Sequence, residues 1–587
     1  MNIIGISAFF HDAACCLLQD GNLVAAVQEE RFSRIKNDPR LPVRSFRYCL
    51  EEGGIDITDI DCIAYYESPV KKLSRQLWMQ PHLSVDTNLS WLDARRPLRE
   101  IRETLGYEGL VETFDHHMSH AASSFFFSGF ERAAVFVADA VGEWVTTSYA
   151  VGDGNTLTMH DEVMFPDSIG LFYSSVTQYL GFKVLSGEYK VMGLAPYGKA
   201  RYTDKLRNLI NLTNDGKFEL AAKYFNFSGN GRMYTEELIS LLGEPPRKPE
   251  TTITQFHMDI ARSLQLVLEE VLLKQVNHLG KLTDATDLCM SGGVALNCVA
   301  NKRILHETDF KRLFIQPAAG DSGSSLGAAA LAHIKLTGKR HSTEPLSSIY
   351  TGPNYSDDEA TDTIQSTGLE YTNFRNRFED LVEAVVDRLT EGKVIAWFQG
   401  RMEFGPRALG ARSIIADPRI PGMRDRLNSL VKKREEFRPF APAVLEDVAK
   451  NHFELDSPSP FMLSTCQVCS EIDLPAVTHV DGSCRPQTVS SSSNPRFSQL
   501  LEAFYKRTDC PILVNTSFNI RSEPIVCSPA DALRCMANSG IDVLVLEDSI
   551  IDRSLNSDIL SAAAKLMSNT LIPTNVEDVF DTAYTFI

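Results

Sequence analysis

The stretch NIIGISAFFHDAACCLLQDGNLVAAVQEERFSRIKND (residues 2–38) contains three mainly apolar runs separated by two turns. The first run ends at a turn that contains His11 and Asp12, and the second ends at the Asp-Gly pair of Asp20 and Gly21. An Asp-Gly pair between two strand-like runs is typical of a hairpin turn. The stretch therefore predicts a strand, a turn, a second strand, a hairpin turn and a third strand.

This order of strands and turns matches the phosphate-facing hairpin of an actin-like nucleotide-binding fold, and we predict that fold for the N-terminal half. His11 and Asp12 lie at the first turn, where an actin-like fold places catalytic groups, although either residue could serve only to form the turn. Glu29, Glu30 and Arg31 end the third run, and Lys36, a further catalytic candidate, lies in the polar segment beyond it. A solvated charge cluster explains this segment equally well. The next part of the chain, residues 43–109, is expected to be mostly helical.

A second stretch, FDHHMSHAASSFFFSGF (residues 114–130), contains a pair of histidines at helical spacing. His116 and His120 are four residues apart, so on a helix their imidazoles project from one face and can share a metal ion. His117 is a weaker ligand candidate. The alternative is that these histidines belong only to the core or to the surface.

Two carboxylates could complete such a site. The run AAVFVADAVGEW predicts a buried strand that ends at Asp139, and KRLFIQPAAGDSGSSLGAAA places Asp321 in a turn before a helix of small residues. Histidines combined with carboxylates suit Fe(II), Mn(II) or Zn(II), and the mixed nitrogen and oxygen set favours iron. We therefore predict a divalent metal site, with Fe(II) favoured, formed by His116, His120, Asp139 and Asp321.

The run LCMSGGVALNCVANKRI (residues 288–304) predicts a strand, a Gly-Gly turn and a helix whose first N–H groups suit an anion. Upstream, glycines frame Glu188 and Lys190, as a backbone that approaches a ligand closely would require, although a simple loop fits equally well. The chain contains no GxxxxGK[ST] motif, so nucleotide binding would be of another type. The residues predicted to contact the nucleotide are Glu188, Lys190, Gly292, Gly293, Asn297 and Asp321.

The loop GRMEFGPRALGARSIIADPR (residues 400–419) places arginines among glycines, a composition expected of an oxyanion pocket built from guanidinium groups. Later stretches add further basic and polar residues. A solvated basic face is the alternative, but the flanking Phe, Pro and Gly residues favour a pocket. The residues predicted to line it are Arg407, Arg412, Lys432, Arg438, Arg485, Asn515 and Ser517.

A chain of 587 residues exceeds the size of a single core, and a Gly/Pro/Ser/Asp-rich break at residues 347–362 separates two predicted domains, 1–350 and 365–587. Its 76 acidic and 58 basic residues give a net charge of -18, which disfavours binding to nucleic acid. The N-terminus has no basic region before its apolar run, so we expect neither a signal peptide nor a membrane segment, and a cytoplasmic protein. The 12 cysteines are scattered, which suits free thiols. Cys466 and Cys469 form a lone CxxC, a weak indication of zinc.

Together these motifs resemble those of the O-carbamoyltransferases of antibiotic and nodulation-factor biosynthesis, from GISAFFHDAA to NTSFNIRSEPIV. The resemblance implies an N-terminal domain similar to the catalytic subunit of the tRNA threonylcarbamoyl transferase, which has an actin-like fold. It implies a C-terminal domain similar to YrdC, with an α/β twisted sheet. One departure is Ala140, which follows Asp139 where the family usually has glycine. The family's metal motif falls on His116, His120, Asp139 and Asp321.

The resemblance also implies a reaction. Carbamate released from carbamoyl phosphate would attack ATP, giving carbamoyl adenylate and pyrophosphate, with the metal, and Mg(II) where present, at the ATP phosphates. A hydroxyl group of a small natural product would then attack the carbamoyl carbon, and His11 would take its proton. The residues that match the family's carbamoyl phosphate contacts are Arg407, Lys432, Arg438, Arg485 and Ser517.

Three other interpretations share parts of this pattern. A tRNA threonylcarbamoyl transferase has the same N-terminal fold and metal, but the net charge of -18 and the C-terminal half argue against it. The hydrogenase-maturation carbamoyltransferase has zinc-finger CxxC pairs and the reverse domain order. A non-catalytic actin-like module that binds a nucleotide or iron would not need a second anion site. The acceptor alcohol stays open, and a homodimer is compatible with the sequence.

Overall fold

The computed structural model describes residues 1–79, 92–213, 215–227, 231–432 and 435–569. Two compact units share these residues. The first consists of Met1–Glu29 and Asn37–Leu346, and the second of Glu30–Lys36 and the described residues from Ser347 onward. Each unit contains sheets and helices, which confirms the α/β class.

The elements are numbered in chain order. The strands are β1 (Asn2–Ser7), β2 (Ala14–Gln19), β3 (Asn22–Gln28), β4 (Cys62–Tyr65), β5 (Val111–Thr113), β6 (Arg132–Ala138), β7 (Val145–Asp153), β8 (Thr156–Met164), β9 (Ile210–Leu212), β10 (Phe218–Leu220), β11 (Asp287–Ser291), β12 (Arg312–Ile315), β13 (Thr372–Asn373), β14 (Ile395–Phe398), β15 (Arg412–Ala416), β16 (Ala441–Leu445), β17 (Cys466–Gln467), β18 (Ser483–Cys484), β19 (Gln487–Val489), β20 (Ile512–Ser517), β21 (Val543–Leu546) and β22 (Ser549–Asp552). The α-helices are α1 (Glu30–Ser33), α2 (Val43–Gly53), α3 (Pro69–Met79), α4 (Arg96–Glu100), α5 (His116–Phe125), α6 (Ile169–Tyr179), α7 (Glu188–Leu194), α8 (Thr203–Arg207), α9 (Glu236–Leu242), α10 (Gln255–Thr283), α11 (Cys298–Glu307), α12 (Asp321–Thr337), α13 (Asp357–Thr367), α14 (Phe378–Thr390), α15 (Met423–Arg426), α16 (Pro495–Thr508), α17 (Pro529–Asn538) and α18 (Ser557–Asn569).

The first sheet of the first unit has the strand order β3-β2-β1-β4-β5. Strands β1, β2 and β3 are antiparallel neighbours, and β4 and β5 continue the sheet in parallel. At the hairpin, Asp20 has φ 50° and Gly21 has φ 80°, which is the left-handed backbone that a two-residue hairpin needs. The prediction for the N-terminal stretch is therefore confirmed. The prediction for residues 43–109 missed β4, which lies inside the segment expected to be mostly helical.

A second five-stranded sheet repeats this plan. Read from the β8 end, its strand order is β8-β7-β6-β11-β12, which corresponds position by position to β3-β2-β1-β4-β5 of the first sheet. Strands β6, β7 and β8 are antiparallel neighbours, and β11 and β12 are parallel to β6. Two sheets with the same strand order are the arrangement of an actin-like fold, as predicted. The run that was expected to form a core helix does so as α10, which has 29 residues.

Helix α12 packs closely against both the first sheet and helix α5. A Cβ atom added to Gly327 would lie 1.8 Å from the carbonyl oxygen of Ser119 in α5, and one added to Gly5 would lie 2.0 Å from the carbonyl oxygen of Ser325. Neither contact leaves room for a side chain. These two glycines therefore set the distance of α12 from its neighbours.

Replacing Gly327 with alanine should destabilise the first unit. The added methyl group must push α12 away from α5, and overpacking of this kind typically costs about 1–3 kcal/mol. Gly280→Ala in α10 is the control, because the nearest atom to its added Cβ is 3.5 Å away. Thermal unfolding followed by circular dichroism should show a lower midpoint for Gly327→Ala only, and equal midpoints for the two variants would contradict this account.

The second unit is built on an eight-stranded sheet with the order β13-β22-β21-β14-β15-β20-β16-β19. Strand β14 is parallel to β21 and antiparallel to β15, so the sheet is mixed. Its core includes Trp397 of β14, Val514 of β20 and Leu544 of β21, all fully buried. A YrdC-like identity for this unit stays a prediction.

The segment Glu30–Lys36 belongs to the second unit, whereas the sequence placed it at the end of the third strand of the first domain. Strand β3 ends at Gln28, and the segment forms the short helix α1. Arg31 is buried and donates a 2.8 Å hydrogen bond to the carbonyl oxygen of Gly405. Phe32 packs against a small apolar cluster formed by Met402, Ala408, Ile525 and Cys527.

Candidate functional site

The predicted metal ligands come together in the first unit. Helix α5 begins at His116, Asp139 follows β6, and α12 begins at Asp321. All four side chains of the set are buried, and their ligand atoms lie within 4.8 Å of one another. Among the described residues, they are the one group of His, Cys, Asp and Glu side chains that converges in this way.

The distances within this cluster fit a single divalent ion. The Nε2 atoms of His116 and His120 are 3.1 Å apart, and each lies 3.3 Å from Oδ2 of Asp139. Oδ1 of Asp321 lies 3.6 Å from His116 Nε2 and 3.4 Å from His120 Nε2. Ligand atoms bonded at about 2.1 Å to an ion of tetrahedral or octahedral geometry are separated by roughly 3.0–3.4 Å. Within the described part of the chain, both carboxylate oxygens of Asp321 are buried without a hydrogen bond, so a cation would satisfy them.

The charges of the cluster are strongly coupled. Burial lowers the pKa of His120, but attraction from the carboxylates of Asp139 and Asp321 outweighs it and raises that pKa to about 9. Burial raises the pKa of Asp139, but the hydrogen bonds with His116 and His120 outweigh it and hold that pKa well below its usual value. Without a cation, the cluster therefore retains a proton on His120 at neutral pH.

A glutamate that the sequence analysis did not select holds the cluster in place. Oε1 of Glu143 accepts hydrogen bonds from the backbone N–H groups of His116, at 2.9 Å, and Ser68, at 2.6 Å. These hydrogen bonds fix the backbone N–H group of His116, the first residue of α5 and a member of the cluster. Glu143 lies four residues after Asp139, in the same run AAVFVADAVGEW. This proximity in the sequence was the feature that could have indicated its role.

His117 is not part of the cluster. Its Nδ1 atom lies 2.8 Å from the hydroxyl of Ser148, and burial lowers its pKa well below the usual value. Of these three histidines, His116 and His120 converge with Asp139 and Asp321, and His117 does not.

His11 lies beside the cluster. Its Nδ1 atom is 3.2 Å from Oδ2 of Asp12, and its Nε2 atom is 3.8 Å from Oδ2 of Asp321. Burial lowers the pKa of His11, but attraction from Asp321 and the hydrogen bond with Asp12 raise it to about 10. Lys36 belongs to the second unit, where its Nζ atom lies 3.0 Å from Oε1 of Glu30, and its catalytic role stays a prediction.

The Gly-Gly turn after β11 differs from the predicted anion cradle. The N–H group of Gly292 donates to the carbonyl oxygen of Ala319, at 2.8 Å, and that of Gly293 donates to Oδ1 of Asp139, at 3.2 Å. Gly292 has φ 88°, and a Cβ atom there would lie 2.2 Å from the carbonyl oxygen of Ala138. The prediction of free amides at these two glycines is therefore corrected: the turn approaches the end of β6 and holds the carboxylate of Asp139.

The other predicted nucleotide contacts also have partners inside the first unit. The side chain of Asn297 accepts from the N–H of Ala300 at the start of α11 and exchanges hydrogen bonds with Gln265. Glu188 accepts from Ser174 and from two backbone N–H groups, and burial raises its pKa. The Nζ atom of Lys190 lies 5.7 Å from the ring centre of Phe182.

In the second unit, the topology brings five of the predicted pocket residues to one edge of the sheet. Strand β20 is antiparallel to β15 and β16, so its carboxyl end meets their amino ends. Strand β19 is parallel to β16, and its amino end lies at the same edge. The residues in or next to these strand ends are Arg407, Arg438, Arg485, Asn515 and Ser517.

Two of the buried polar atoms at this edge that have no hydrogen-bond partner among the described residues matter for a ligand. They are Nε of Arg485, a donor, and Oδ1 of Asn515, an acceptor. The orientation of the Asn515 amide is fixed, because its Nδ2 atom donates to the carbonyl oxygen of Ala408 and to Oε1 of Gln487. The edge therefore offers a donor and an acceptor to a small ligand.

The loop that carries Arg407 is held by side chains that the sequence analysis did not select. Oε1 of the buried Glu403 accepts from the backbone N–H groups of Leu409, Ala411 and Arg412, at 2.7, 2.7 and 3.1 Å. Tyr350 and Gln487 both donate to the carbonyl oxygen of Leu409. The loop is therefore rigid before any ligand binds.

Arg412 needs a correction, because it faces the interior rather than a pocket. Its side chain is fully buried, and its guanidinium carbon lies 3.5 Å from the ring centre of Phe398. Its terminal nitrogens donate hydrogen bonds of 2.9–3.2 Å to the carbonyl oxygens of Pro353, Gln399, Gly400 and Ala411. Arg412 thus stabilises the loop.

Two predictions in this unit concern other positions. The side chain of Lys432 lies outside the described part of the structure, so its predicted contact stays a prediction. Cys466 is buried, Cys469 is exposed, and the Sγ atom of Cys466 lies 3.7 Å from that of Cys484. The twelve cysteines are free thiols.

Comparison with known proteins assigns the chain to a family. Residues 2–88 and 102–330 match the family model described as carbamoyltransferase N-terminus, and residues 386–553 match the one described as carbamoyltransferase C-terminus. The chain belongs to the carbamoyltransferase family. Membership confirms the predicted transferase enzyme. None of the helices in the described part of this carbamoyltransferase combines the length and apolar character needed to cross a membrane.

Individual relatives support the assignment over most of the chain. An uncharacterized protein of Synechocystis is 44% identical, over 94% of this carbamoyltransferase and 97% of its own length. The nodulation protein NolNO of Sinorhizobium fredii is 39% identical, over 93% of this chain and 80% of its own. The 3'-hydroxymethylcephem-O-carbamoyltransferase of Amycolatopsis lactamdurans is 38% identical, over 47% of this chain and 50% of its own.

Loss of either His120 or Asp321 should abolish tight metal binding by the carbamoyltransferase. Each supplies one of four converging atoms, so the loss should exceed the roughly 10- to 100-fold effect typical of a residue that only supports a ligand. We expect His120→Ala and Asp321→Ala to retain no Mn(II) or Fe(II) after gel filtration, measured by elemental analysis. The control His117→Gln should retain the metal; its loss there would contradict the assignment.

Metal binding should also strengthen as the pH rises. Below the His120 pKa of about 9, a cation must displace the proton from that imidazole, so protons compete with it. The association constant for Mn(II), measured by calorimetric titration between about pH 6 and 8.5, should increase up to about tenfold per pH unit for one displaced proton. An association constant that does not change with pH would be incompatible with a protonated His120.

Proposed function

We propose that this carbamoyltransferase uses ATP to convert the carbamoyl group of carbamoyl phosphate into carbamoyl adenylate, and transfers it to a hydroxyl group of a small molecule. The observation that carries the proposal is the presence of two different sites in one chain. A buried His/Asp cluster lies in the first unit, and an arginine-rich sheet edge with unpaired polar atoms lies in the second. The relative whose name specifies a hydroxymethyl group supports the class of acceptor.

The second unit would bind carbamoyl phosphate at the edge formed by β15, β16, β19 and β20. The guanidinium groups of Arg407, Arg438 and Arg485 suit the phosphate, because guanidinium binds phosphate oxygens through two parallel hydrogen bonds. Oδ1 of Asn515 can accept from the carbamoyl NH₂ group, since its own NH₂ is already used. Attack of water would release phosphate and carbamate. By resemblance, Lys432 and Ser517 contribute to the same pocket.

The first unit would then bind ATP beside the His/Asp cluster. Attack of a carbamate oxygen on the α-phosphorus would form carbamoyl adenylate and release pyrophosphate. A divalent cation in the cluster would offset the charge of Asp139 and Asp321 and stabilise negative charge on the phosphate oxygens. The mixed nitrogen and oxygen donors favour Fe(II), and Mn(II) or Zn(II) would fit the same geometry. Mg(II) would accompany ATP as usual. The resemblance also suggests three residues that would contact the nucleotide: Glu188, Lys190 and Asn297. Their side chains make contacts within the first unit as well.

His11 is the proposed base in the last step. With the charge of Asp321 offset, the pKa of His11 falls and its neutral form can accept a proton. Asp12 holds the ring through Nδ1, which leaves Nε2 toward the cluster. The hydroxyl oxygen attacks the carbamoyl carbon, its proton goes to His11 Nε2, and AMP leaves.

The two sites should be separable by mutation. We expect Arg407→Ala to lose phosphate release from carbamoyl phosphate, since one charged contact to a phosphate typically contributes about 1.5–3 kcal/mol. The same variant should carbamoylate an acceptor at close to the normal rate when it is given synthetic carbamoyl adenylate. His120→Ala should show the reverse pattern, with phosphate release retained and ATP–pyrophosphate exchange lost.

The control for these assays is Arg424→Ala, which removes an arginine of the second unit whose partner, Asp425, is exposed. It should match the unmodified enzyme in both. An Arg407→Ala enzyme that fails equally with carbamoyl adenylate would show that one site performs both steps, and the division between the units would then be abandoned.

A further inference from the structure

Tyr66 has a buried hydroxyl group without a hydrogen bond. It directly follows strand β4, and its side chain is fully buried. Within the described part of the chain, its hydroxyl oxygen has no hydrogen-bond partner. Buried hydroxyl groups almost always have a partner in the protein, in water or in a ligand, so one that lacks a protein partner needs an explanation.

Other buried tyrosines of the first unit show the ordinary arrangement. The hydroxyl of Tyr65 lies within hydrogen-bond distance of Ala8 and Glu67, that of Tyr149 donates to Gly216, and that of Tyr173 donates to Gln265. A phenylalanine at position 66 would fill the same space without an unpaired polar atom. Among the residues that the structure describes, the hydroxyl of Tyr66 therefore makes no hydrogen bond that stabilises the fold.

The position of Tyr66 associates it with the metal cluster. Strands β1, β4 and β5 are parallel, so their carboxyl ends lie at one edge of the sheet. His11 follows β1, Tyr66 follows β4, and His116 begins the helix after β5. The ring of Tyr66 lies 5.1 Å from the ring of His116, measured between centres. Ligands of α/β proteins bind outside the carboxyl ends of such strands.

Two of the acidic groups around Tyr66, Glu67 and Glu143, already have other partners. Glu67 accepts from Tyr65 and Lys72, and Glu143 accepts from the backbone of Ser68 and His116. A phenol is a weak acid whose ordinary pKa lies well above neutral pH, so the hydroxyl of Tyr66 is protonated and available as a donor.

We propose that Tyr66 is a substrate-binding residue whose hydroxyl donates a hydrogen bond to a phosphate oxygen of the nucleotide held at the His/Asp cluster. This assignment rests on the proposed function, because it needs an anionic oxygen ligand at the cluster. A phosphate oxygen accepts hydrogen bonds strongly and carries no proton of its own to donate at neutral pH. It is thus complementary to a hydroxyl that can donate a proton and has no hydrogen-bond partner among the described residues.

The test is Tyr66→Phe in the full-length protein, loaded with Mn(II). The dissociation constant for ATP, measured by calorimetry, should rise roughly tenfold to a hundredfold, as expected for loss of a hydrogen bond to a charged group. The metal content should not change. The thermal midpoint should stay the same or rise, because the variant removes an unpaired buried group and keeps the ring.

Tyr149→Phe is the matched control, since its hydroxyl is buried and paired with Gly216 and Gln275. It should lower the thermal midpoint and leave the dissociation constant for ATP unchanged. An ATP affinity of Tyr66→Phe within about twofold of the unmodified protein, or a loss of metal, would overturn the proposal for Tyr66 alone. Failure of the unmodified protein to bind ATP would instead overturn the proposed function, and the role of Tyr66 with it.

Discussion

Burial of two carboxylates and two imidazoles around one point is the constraint on which the first unit depends. An ionised carboxylate without a partner is costly in a protein interior, so Asp139 and Asp321 require either protonated imidazoles or a cation. The surrounding structure keeps the four side chains at ligand distance. Gly327 allows α12 to approach α5, Glu143 fixes the first amide of α5, and the N–H of Gly293 holds Asp139.

The second unit applies a similar constraint to a loop. One carboxylate oxygen of Glu403 accepts hydrogen bonds from three backbone N–H groups, and the guanidinium of Arg412 donates hydrogen bonds to four carbonyl groups. The two charges lie in the interior, where hydrogen bonds are stronger than in water. Arg407 is therefore presented by a segment whose shape is set before a ligand arrives, which lowers the entropic cost of binding.

The sequence could predict features that depend on local spacing. The three N-terminal strands follow from apolar runs and an Asp-Gly pair, and the pairing of His116 with His120 follows from helical periodicity. Strand β4 was missed because four residues are too few to show a period within a segment of mixed charge. The roles of Arg407 and Arg412 could not be distinguished, because Arg412 is held by a carbonyl group at Pro353, far away in the sequence. The hydrogen bonds that the N–H groups of Gly292 and Gly293 make within the protein could not be predicted either. A Gly-Gly turn has the same sequence whether its N–H groups face a ligand or the protein.

The membership of Glu30–Lys36 in the second unit has a consequence for dividing the chain. The polypeptide leaves the first unit after β3, contributes seven residues to the second, and returns for α2. Arg31 and Phe32 of this segment contact Gly405 and Ala408, which lie on either side of Arg407. A cut at the linker near residue 346 would therefore leave the C-terminal fragment without the segment that contacts its arginine loop. The N-terminal fragment would retain Phe32 without the apolar residues against which it packs. Separate production of the two halves would require this short segment to be supplied in trans or grafted onto the C-terminal part.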